Sequence, residues 1–555
     1  MNAPHPIPAI WTTGSTEAVK TGTWRAALPH YIDEPSPCHQ ACPVNGDIAE
    51  WIGLARKRDF RAAWDVLTRH NPFPAVAGRI CHHPCETACN RAGFDAPLAI
   101  CKLERTVGDM AIENGWSYAA PEIEHAQHVA VVGGGPSGLS AAFQLRRRGF
   151  KVTIYEAQSE LGGLMRYGIP AYRLARDVLD GEIASILALG VEVKCGHTLA
   201  TAEDFAHLRR THDAVYIATG ARRAKRLPQL PEGGAWWMDG AEYLARANVG
   251  APPTLGKRIA VIGGGSAALD AARTARRAGH EVTILALEAA GQMPAQREEV
   301  AEALEEGISL AAGAMLDAAT PQADGSVALS CVRVRFEPGA VRGKFTLTRL
   351  PGSEFTLTCD AVVVSIGQDP ELDALGTNLA VNGALLQVDS RQATSDDHVW
   401  AGGDVSSMAR FVTESIGMGK RAAIAIAHRL RDEGATADIE QHPVVGLNNI
   451  ATYYYPKQPR AAELHRLVAE RLASGAEVQL GLELEKALAE TERCFSCGLC
   501  ITCDNCLHYC PDLAIQRVDA ADGGGYIVLT DYCKGCGICV KECPTGSMTM
   551  LEEEK

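Results

Sequence analysis

The sequence predicts an α/β protein flanked at both ends by cysteine-rich domains, and three observations predict it. A strand–glycine turn–helix unit occurs twice in the middle of the 555-residue chain, at His128 to Glu156 and again at Arg258 to Ala286. Six of the nineteen cysteines fall within residues 1–120 and ten within residues 491–555, at short and regular intervals. The length exceeds what one hydrophobic core serves. Composition divides the chain into a helical cysteine-bearing domain over 1–120, α/β segments over 121–250, 251–360 and 361–435, a helical connector over 436–490, and a second cysteine domain over 491–555.

Charge and hydropathy exclude several classes. A formal net charge of -14 and an acidic C-terminal tail argue against nucleic acid or an anionic membrane as partner, since binding phosphate needs clustered Lys and Arg. No apolar run of about 18 residues is present, and the start MNAPHPIPAIW lacks a charged-then-apolar signal design. The expectation is a soluble, cytoplasmic protein. Cysteines at intervals of two and three residues suit metal rather than disulfides.

The N-terminal domain carries Cys38, Cys42, Cys81, Cys85, Cys89 and Cys101, with a helix-like stretch from Asp47 to Arg69, apolar at Ile48, Trp51, Ile52, Leu54 and Ala55. The spacing of Cys81, Cys85 and Cys89 is close to one helical turn and does not by itself sort ligands from bystanders. One iron–sulfur cluster is expected there, because unpaired thiols rarely fall at such regular intervals; two would need eight ligands against six cysteines, so a second would require non-cysteine ligands.

In the first repeated unit an apolar strand runs into Gly133, Gly135 and Gly138, with Pro136 and Ser137 opening the following helix. These glycines permit a tight turn, close approach of backbone N–H groups to a pyrophosphate, and close helix–strand packing. Glu156 ends the next strand, where a carboxylate can bond ribose hydroxyls. The second unit repeats the pattern with Gly263, Gly265, Ser266 and Ala268, and its second strand runs on to Glu288, with no basic residue before Arg297. A 2′-phosphate needs a cation at that position and a free 2′-hydroxyl an acid, so the expectation is NAD(H) over NADP(H). Ala218-Thr-Gly220 follows the strand Ala214–Ile217 and suits a crossover between nucleotide domains; Trp400-Ala-Gly-Gly403-Asp404 places an aspartate where it can reach a flavin's ribityl or pyrophosphate. The connector begins irregular and aromatic over Asn448 to Pro459, then reads as helices over Ala461–Ala473 and Leu480–Glu492.

The last domain holds the strongest signal. Cys500, Cys503, Cys506 and Cys510-Pro511 share their spacing with Cys533, Cys536, Cys539 and Cys543-Pro544. In two-cluster ferredoxins the fourth cysteine of each run ligates the other cluster. The expected sets are therefore Cys500, Cys503, Cys506 and Cys543, and Cys533, Cys536, Cys539 and Cys510. Zinc would call for two separated pairs instead. Cys494 and Cys497 remain over, as free thiols, zinc ligands or alternative ligands to the nearby cluster.

In this order the motifs resemble the small subunit of bacterial glutamate synthase and its relatives over residues 35–435. The resemblance is carried by Cys42-Pro-Val-Asn45, Gly78-Arg-Ile-Cys81 through Pro84-Cys-Glu86 to Cys89, the first glycine turn, Leu161-Gly-Gly163-Leu164 and Arg166-Tyr-Gly-Ile-Pro170. The second turn, Met293-Pro-Ala295, Ser365-Ile-Gly367-Gln368 and Gly402-Gly-Asp404 complete it. It implies noncovalent FAD on an outer Rossmann-like domain (121–250 and 361–435), a nicotinamide nucleotide on an inserted one (251–360), and hydride passing to the flavin. That family has a further cysteine pair before the position of Cys38, which this chain lacks. Cys101 stands where the family has an apolar or amide residue, so a single cluster on Cys42, Cys81, Cys85 and Cys101 is expected, with Cys38 and Cys89 idle. The family's Tyr-Arg-Arg at the nicotinamide strand is here Ala286-Leu-Glu288.

The segment after Arg493 looks like the ferredoxin-type subunit of 2-oxoacid:ferredoxin oxidoreductases. The expected function is electron transfer between NAD(H), FAD, three [4Fe–4S] clusters and a partner, either a catalytic oxidoreductase of 2-oxoacid or aldehyde type in a hetero-oligomer, or a ferredoxin. The alternatives are a stand-alone NADH:ferredoxin oxidoreductase, a glutamate synthase small subunit, and a redox sensor without turnover.

Overall fold

The structure is a computed structural model, and it describes residues 20–22, 25–32, 34–231, 233–340, 344–376, 379–433, 443–519 and 524–553. The start of the connector and the two ends of the chain, including the final residues of the acidic tail, lie outside the described residues.

Two five-stranded, wholly parallel sheets form the centre. The first runs in the order Val399–Ala401, Ala214–Ile217, His128–Val132, Lys151–Glu156, Glu192–Cys195. Helices cover both faces, which is why its inner strands are unbroken apolar runs with residues such as Val129, Val131, Ile154 and Tyr216 wholly buried. The second runs Ser309–Ala312, Glu281–Ala286, Arg258–Ile262, Ala361–Val364, Trp237–Asp239. It lies within the chain between two parts of the first, so one α/β domain is inserted in the other.

The boundaries expected at 250/251 and 360/361 are corrected by this sheet. Trp237–Asp239 and Ala361–Val364 are both strands of the inserted domain, and helix Gly240–Asn248 packs beside them. Their shortness hid them: three and four residues give no periodicity to read. An antiparallel sheet of Ala314–Pro321, Val327–Pro338 and Phe345–Cys359 completes the insertion.

The N-terminal domain is helical. The stretch expected as one helix from Asp47 to Arg69 is two, Ile48–Arg56 and Phe60–Leu67. Arg58 adopts φ 63°, and Asp59 accepts the backbone N–H of Ala62 at 3.1 Å, so a new N-cap interrupts the apolar pattern. The connector helices are likewise shorter than expected, Val468–Ala473 and Leu484–Glu492. The residues before each are used otherwise: Arg466 N–H donates to Val478 O (2.9 Å) and Leu480 N–H to Leu464 O (2.8 Å), a backbone pairing incompatible with helix.

The ferredoxin-like end is tied to the beginning of the chain. Strand Ala27–Tyr31 pairs antiparallel with Met548–Glu552 over five residue pairs, and Gly498 N–H donates to Thr545 O at 2.9 Å. On the other side, Gly417 and Gly419 of helix Val412–Leu430 let that helix press on Pro43 and Ser137; a Cβ at either would stand 2.2 Å from a carbonyl oxygen. The cysteine domains and the first nucleotide domain thus share one packed body.

Candidate functional site

Both glycine turns have the geometry of a phosphate cradle. Gly133 (φ 111°) and Gly263 (φ 143°) make the turn, and a Cβ at either would lie 2.3 or 2.2 Å from the carbonyl oxygen of Ala218 or Ser365. At Gly138 a Cβ would stand 1.9 Å from Gly133 O, so helix Pro136–Arg147 packs on its strand at backbone contact. Gly135 and Gly265 are different: their missing Cβ would face open space, with nothing within 4 Å at Gly265 and only Gly163 at 3.9 Å from Gly135. Each sits at the N-terminus of a twelve-residue helix, where unpaired N–H groups favour an anion. Ser266 begins the second helix and Ala268 is fully buried in it.

The acids at the strand ends occupy matching places. Glu156 accepts the N–H groups of Gly134 and Gln158, both at 2.7 Å. Glu288 lies over Gly264, where a Cβ would meet its Oε2 at 2.5 Å; burial pushes its carboxyl up, against its own backbone N–H. Arg297 is exposed.

Around the first cradle, Gly163 (φ 51°) brings its loop against Gly135. Leu164 is exposed at the edge of this loop. Arg166, expected at the cofactor, spends its guanidinium on Leu161 O (2.6 Å) and on Asp180, which fixes the loop. Gly220 (φ 71°) and Gly367 (φ 103°) stand at the two crossovers, joined by the pairing of Arg223–Ala224 with Gln368–Asp369. Gly403 (φ 80°) turns the chain beside Ser137. Asp404 follows; burial pushes its carboxyl up, partly offset by Arg410, and no hydrogen-bond donor among the described residues reaches it. The buried Thr219 Oγ1 also has no hydrogen-bond partner in the structure. An orphaned carboxylate, an orphaned hydroxyl and an open glycine at a helix N-terminus fit a flavin dinucleotide.

Next to this cradle stand the N-terminal cysteines. Cys81 Sγ lies 3.5 Å from Thr413 Oγ1 on the helix following Asp404. Burial pushes the Cys81 thiol up to about 12 and Cys42 to about 11, the neighbouring charges of Glu104 adding to both. Cys85 is raised by burial and then by Cys42 and Cys81. Cys101 is also raised by burial, with a contribution from Cys81, and its Sγ stands 3.4 Å from Gly78 O. The structure therefore brings Cys42, Cys81, Cys85 and Cys101 together.

Cys38 and Cys89 are grouped elsewhere. They line a cavity with Cys494 and Cys497, closed by Ile48, Ile52 and Phe495. In the C-terminal domain, Cys510 joins Cys533, Cys536 and Cys539 around one cavity. Cys506 is raised by burial, against a Tyr31 hydrogen bond, and then by Cys500, Cys503 and Cys543. The sequence gives no sign that the Tyr31 hydroxyl lies 3.7 Å from Cys506 Sγ or that Thr413 meets Cys81, because neither residue belongs to a cysteine motif.

Two paired α/β cradles beside several groups of convergent thiols define a redox enzyme of the flavin, nicotinamide and iron–sulfur kind. The chain belongs to the pyridine nucleotide-disulphide oxidoreductase family, whose model matches residues 127–429. Residues 33–116 match the dihydropyrimidine dehydrogenase domain II, 4Fe-4S cluster model, and 526–549 a 4Fe-4S binding domain. Among known proteins, the chain is 34% identical over 497 residues to NADP(+)-dependent formate dehydrogenase subunit beta of Moorella thermoacetica, covering 83% of this chain and 70% of that one. It is 32% identical to NADPH-Fe(3+) oxidoreductase subunit beta of Geobacter sulfurreducens (86% and 77% covered). It is also 32% identical to NAD-dependent dihydropyrimidine dehydrogenase subunit PreT of Escherichia coli (72% and 92%). Among the described residues no helix is long and apolar enough to cross a membrane.

Proposed function

We propose that the chain is an electron-transfer subunit that takes electrons from, or returns them to, NAD(H) in preference to NADP(H). Through its C-terminal domain it serves a catalytic oxidoreductase of 2-oxoacid or aldehyde type, or a ferredoxin. One observation carries this reading: the ferredoxin-like domain is joined to the chain's start by a five-pair β-ladder rather than hanging on a linker, as an internal relay requires. Three similar proteins are named as subunits, which supports a hetero-oligomer.

Bound FAD would exchange hydride with the nicotinamide and single electrons with [4Fe–4S] clusters. The chain's residues divide the work. Gly133, Gly135, Pro136, Ser137 and Gly138 receive the flavin pyrophosphate, Glu156 the ribose, and Gly163, Leu164, Gly220, Gly367, Gly403 and Asp404 the remainder, with Arg166 holding the loop. Gly263, Gly265, Ser266 and Ala268 receive the second dinucleotide. Glu288 accepts a ribose hydroxyl and repels a 2′-phosphate, while the relatives' names include both nucleotides. Cys42, Cys81, Cys85 and Cys101 hold one cluster, and the two crossed sets of the ferredoxin domain hold two.

The test is anaerobic purification with whatever binds the chain, followed by titration with NADH and NADPH. Bleaching of flavin and then of iron–sulfur absorbance at lower NADH than NADPH, in a stable complex with a larger oxidoreductase, is the expected result. Preference for NADPH, or a flavin that neither nucleotide reduces, would overturn it.

A further inference from the structure

The cavity between the two cysteine domains belongs to neither of them alone. Cys38 and Cys89 come from the N-terminal helical domain, Cys494 and Cys497 from the segment leading into the ferredoxin-like domain. All four are half-buried, among Ile48, Ile52, Leu98 and Ile100. Its arrangement, four cysteines around one small cavity, is that of Cys510, Cys533, Cys536 and Cys539.

The backbone supplies an independent observation. At Cys533-Lys-Gly535-Cys536-Gly537 the two residues flanking the second cysteine are left-handed, Gly535 at φ 70° and Gly537 at φ 73°, and Gly535 N–H points at Cys533 Sγ (3.4 Å). At Cys500-Ile-Thr502-Cys503-Asp504 the same pair has φ 53° and 65°, and Thr502 N–H bonds Cys500. Cys494-Phe-Ser496-Cys497-Gly498 repeats the turn: φ 51° and 76°, with Ser496 N–H 3.4 Å from Cys494 Sγ. A serine in the left-handed region is uncommon and is held there only when its surroundings demand it. Here they do, since Ser496 is 1% exposed.

The segment is also anchored in place. Arg493, fully buried, donates to Glu490 Oε1 (2.6 Å), Ala96 O (2.6 Å) and Asp95 Oδ1 (3.1 Å), while Arg91 donates to Arg493 O (2.8 Å). Hydrogen bonds reach the sulfurs from Asn90 Nδ2 to Cys497 (3.4 Å) and between Ser36 Oγ and Cys38 (3.1 Å). Zinc is a poor match: tetrahedral ligation with Zn–S of about 2.3 Å holds sulfurs about 3.8 Å apart. Among the described residues no three cysteine sulfurs lie within 4.8 Å of one another; the one group that does is Asp396, Asp397 and His398.

We propose that Cys38, Cys89, Cys494 and Cys497 ligate a further [4Fe–4S] cluster at the joint between the N-terminal domain and the ferredoxin-like domain. The proposal rests on the reading that the cysteine domains carry clusters. It places one-electron exchange across the joint, each transfer reducing one cluster as its neighbour is oxidised, with no bond made and no proton moved. Cys38 and Cys42 begin and end one helical turn, as Cys85 and Cys89 do, so the two N-terminal sites are neighbours. Cys497 and Cys500 in turn connect the joint to the ferredoxin-like pair.

The full chain, reconstituted anaerobically, is compared with Cys494→Ser/Cys497→Ser, with Cys38→Ser/Cys89→Ser, and with Cys536→Ser in the ferredoxin-like cavity. The expected wild-type content is about sixteen irons per chain. Both double variants should lose the same roughly four irons and the same reduced-state electron paramagnetic resonance signal, keep flavin and its reduction by NADH, and pass electrons to the ferredoxin-like clusters at least about tenfold more slowly. Native alkylation of the unmodified holoprotein should spare all four cysteines. Full iron in the double variants, zinc in place of iron, or ready alkylation of the four in an iron-loaded wild type would overturn the proposal while leaving the proposed function standing. A wild type without iron, Cys536→Ser being then indistinguishable from it, would overturn both.

Discussion

The two nucleotide domains share a turn but are held in the molecule by opposite means. The first is packed: its helix Pro136–Arg147 meets Val412–Leu430 at backbone contact, and its helix Arg176–Leu187 lies on the N-terminal domain. The second is held by buried charge. Arg173, on the loop before helix Arg176–Leu187 of the first domain, pairs with Asp270 (2.7 Å) and with Glu299 of the second. Arg273 and Arg277 stack on Tyr172 at 5.0 and 3.8 Å while pairing with Glu306 at 2.7 and 2.6 Å. Apolar packing tolerates small changes of volume, whereas a buried pair fails when one member is removed. The flavin half is the fixed frame, and the nicotinamide half depends on a few ions.

Removing Arg173 breaks this arrangement most severely. Burial already holds the Asp270 carboxyl up at about 6 despite Arg173, and without the guanidinium two carboxylates lose their cation. Arg173→Ala is expected to cost about 3–5 kcal/mol in the attachment of the inserted domain. Limited proteolysis should then release that domain while flavin stays bound; equal loss of flavin would show that the two halves fail as one.

The turns themselves give the second test. Gly138 and Ala268 stand at the same place, yet a Cβ at Gly138 would lie 1.9 Å from Gly133 O, and Ala268 carries one in full burial. Gly138→Ala should therefore cost about 1–3 kcal/mol and release flavin, and Ala268→Gly only about 0.5–1 kcal/mol. Thermal unfolding with flavin fluorescence measures both, and equal effects would mean that the turns are interchangeable.

Nucleotide choice rests on a smaller difference. Glu156 has two backbone donors and keeps its place with or without a ribose, whereas Glu288 is set by burial. Glu288→Gln is expected to lower NADH kcat/KM by roughly fivefold, about 1 kcal/mol for a weakened charged hydrogen bond, and to raise that for NADPH. Unchanged ratios would remove Glu288 from the site.

What could be read in the sequence follows the same division. The parallel sheets were legible from long apolar strands entering glycine turns, and the redox class from cysteine runs whose ligand logic is periodic. The short strands Trp237–Asp239 and Ala361–Val364 were not, because their place depends on a partner strand far away. Nor was the grouping of Cys38 and Cys89 with Cys494 and Cys497, separated by some 400 residues and joined by long-range contacts such as that of buried Arg91 with Arg493. One local signal existed: Cys494-Phe-Ser-Cys-Gly498 has the shape of Cys533-Lys-Gly-Cys-Gly537, with the small residue and glycine that the left-handed turn requires.

The finest test concerns how the fixed frame is itself fastened. Glu182, on helix Arg176–Leu187 of the flavin half, accepts the N–H groups of Ala75 (2.7 Å) and Val76 (3.0 Å) at the start of helix Pro74–Ile80. Burial outweighs these two donors and pushes its carboxyl up to about 8. A carboxyl whose folded value lies above its unfolded one favours the fold while protonated. Its contribution is complete below about pH 4.5, the ordinary glutamate range, and is lost as the pH rises through about 8. Glu182→Gln keeps one acceptor oxygen and cannot ionise, so the slope of stability against pH between those limits should be shallower in the variant. Chemical denaturation of flavin-loaded protein at several pH values measures that slope. An identical slope would mean that Glu182 is already ionised at neutral pH, with the two N–H groups outweighing burial and the frame fastened by a charge as the inserted domain is.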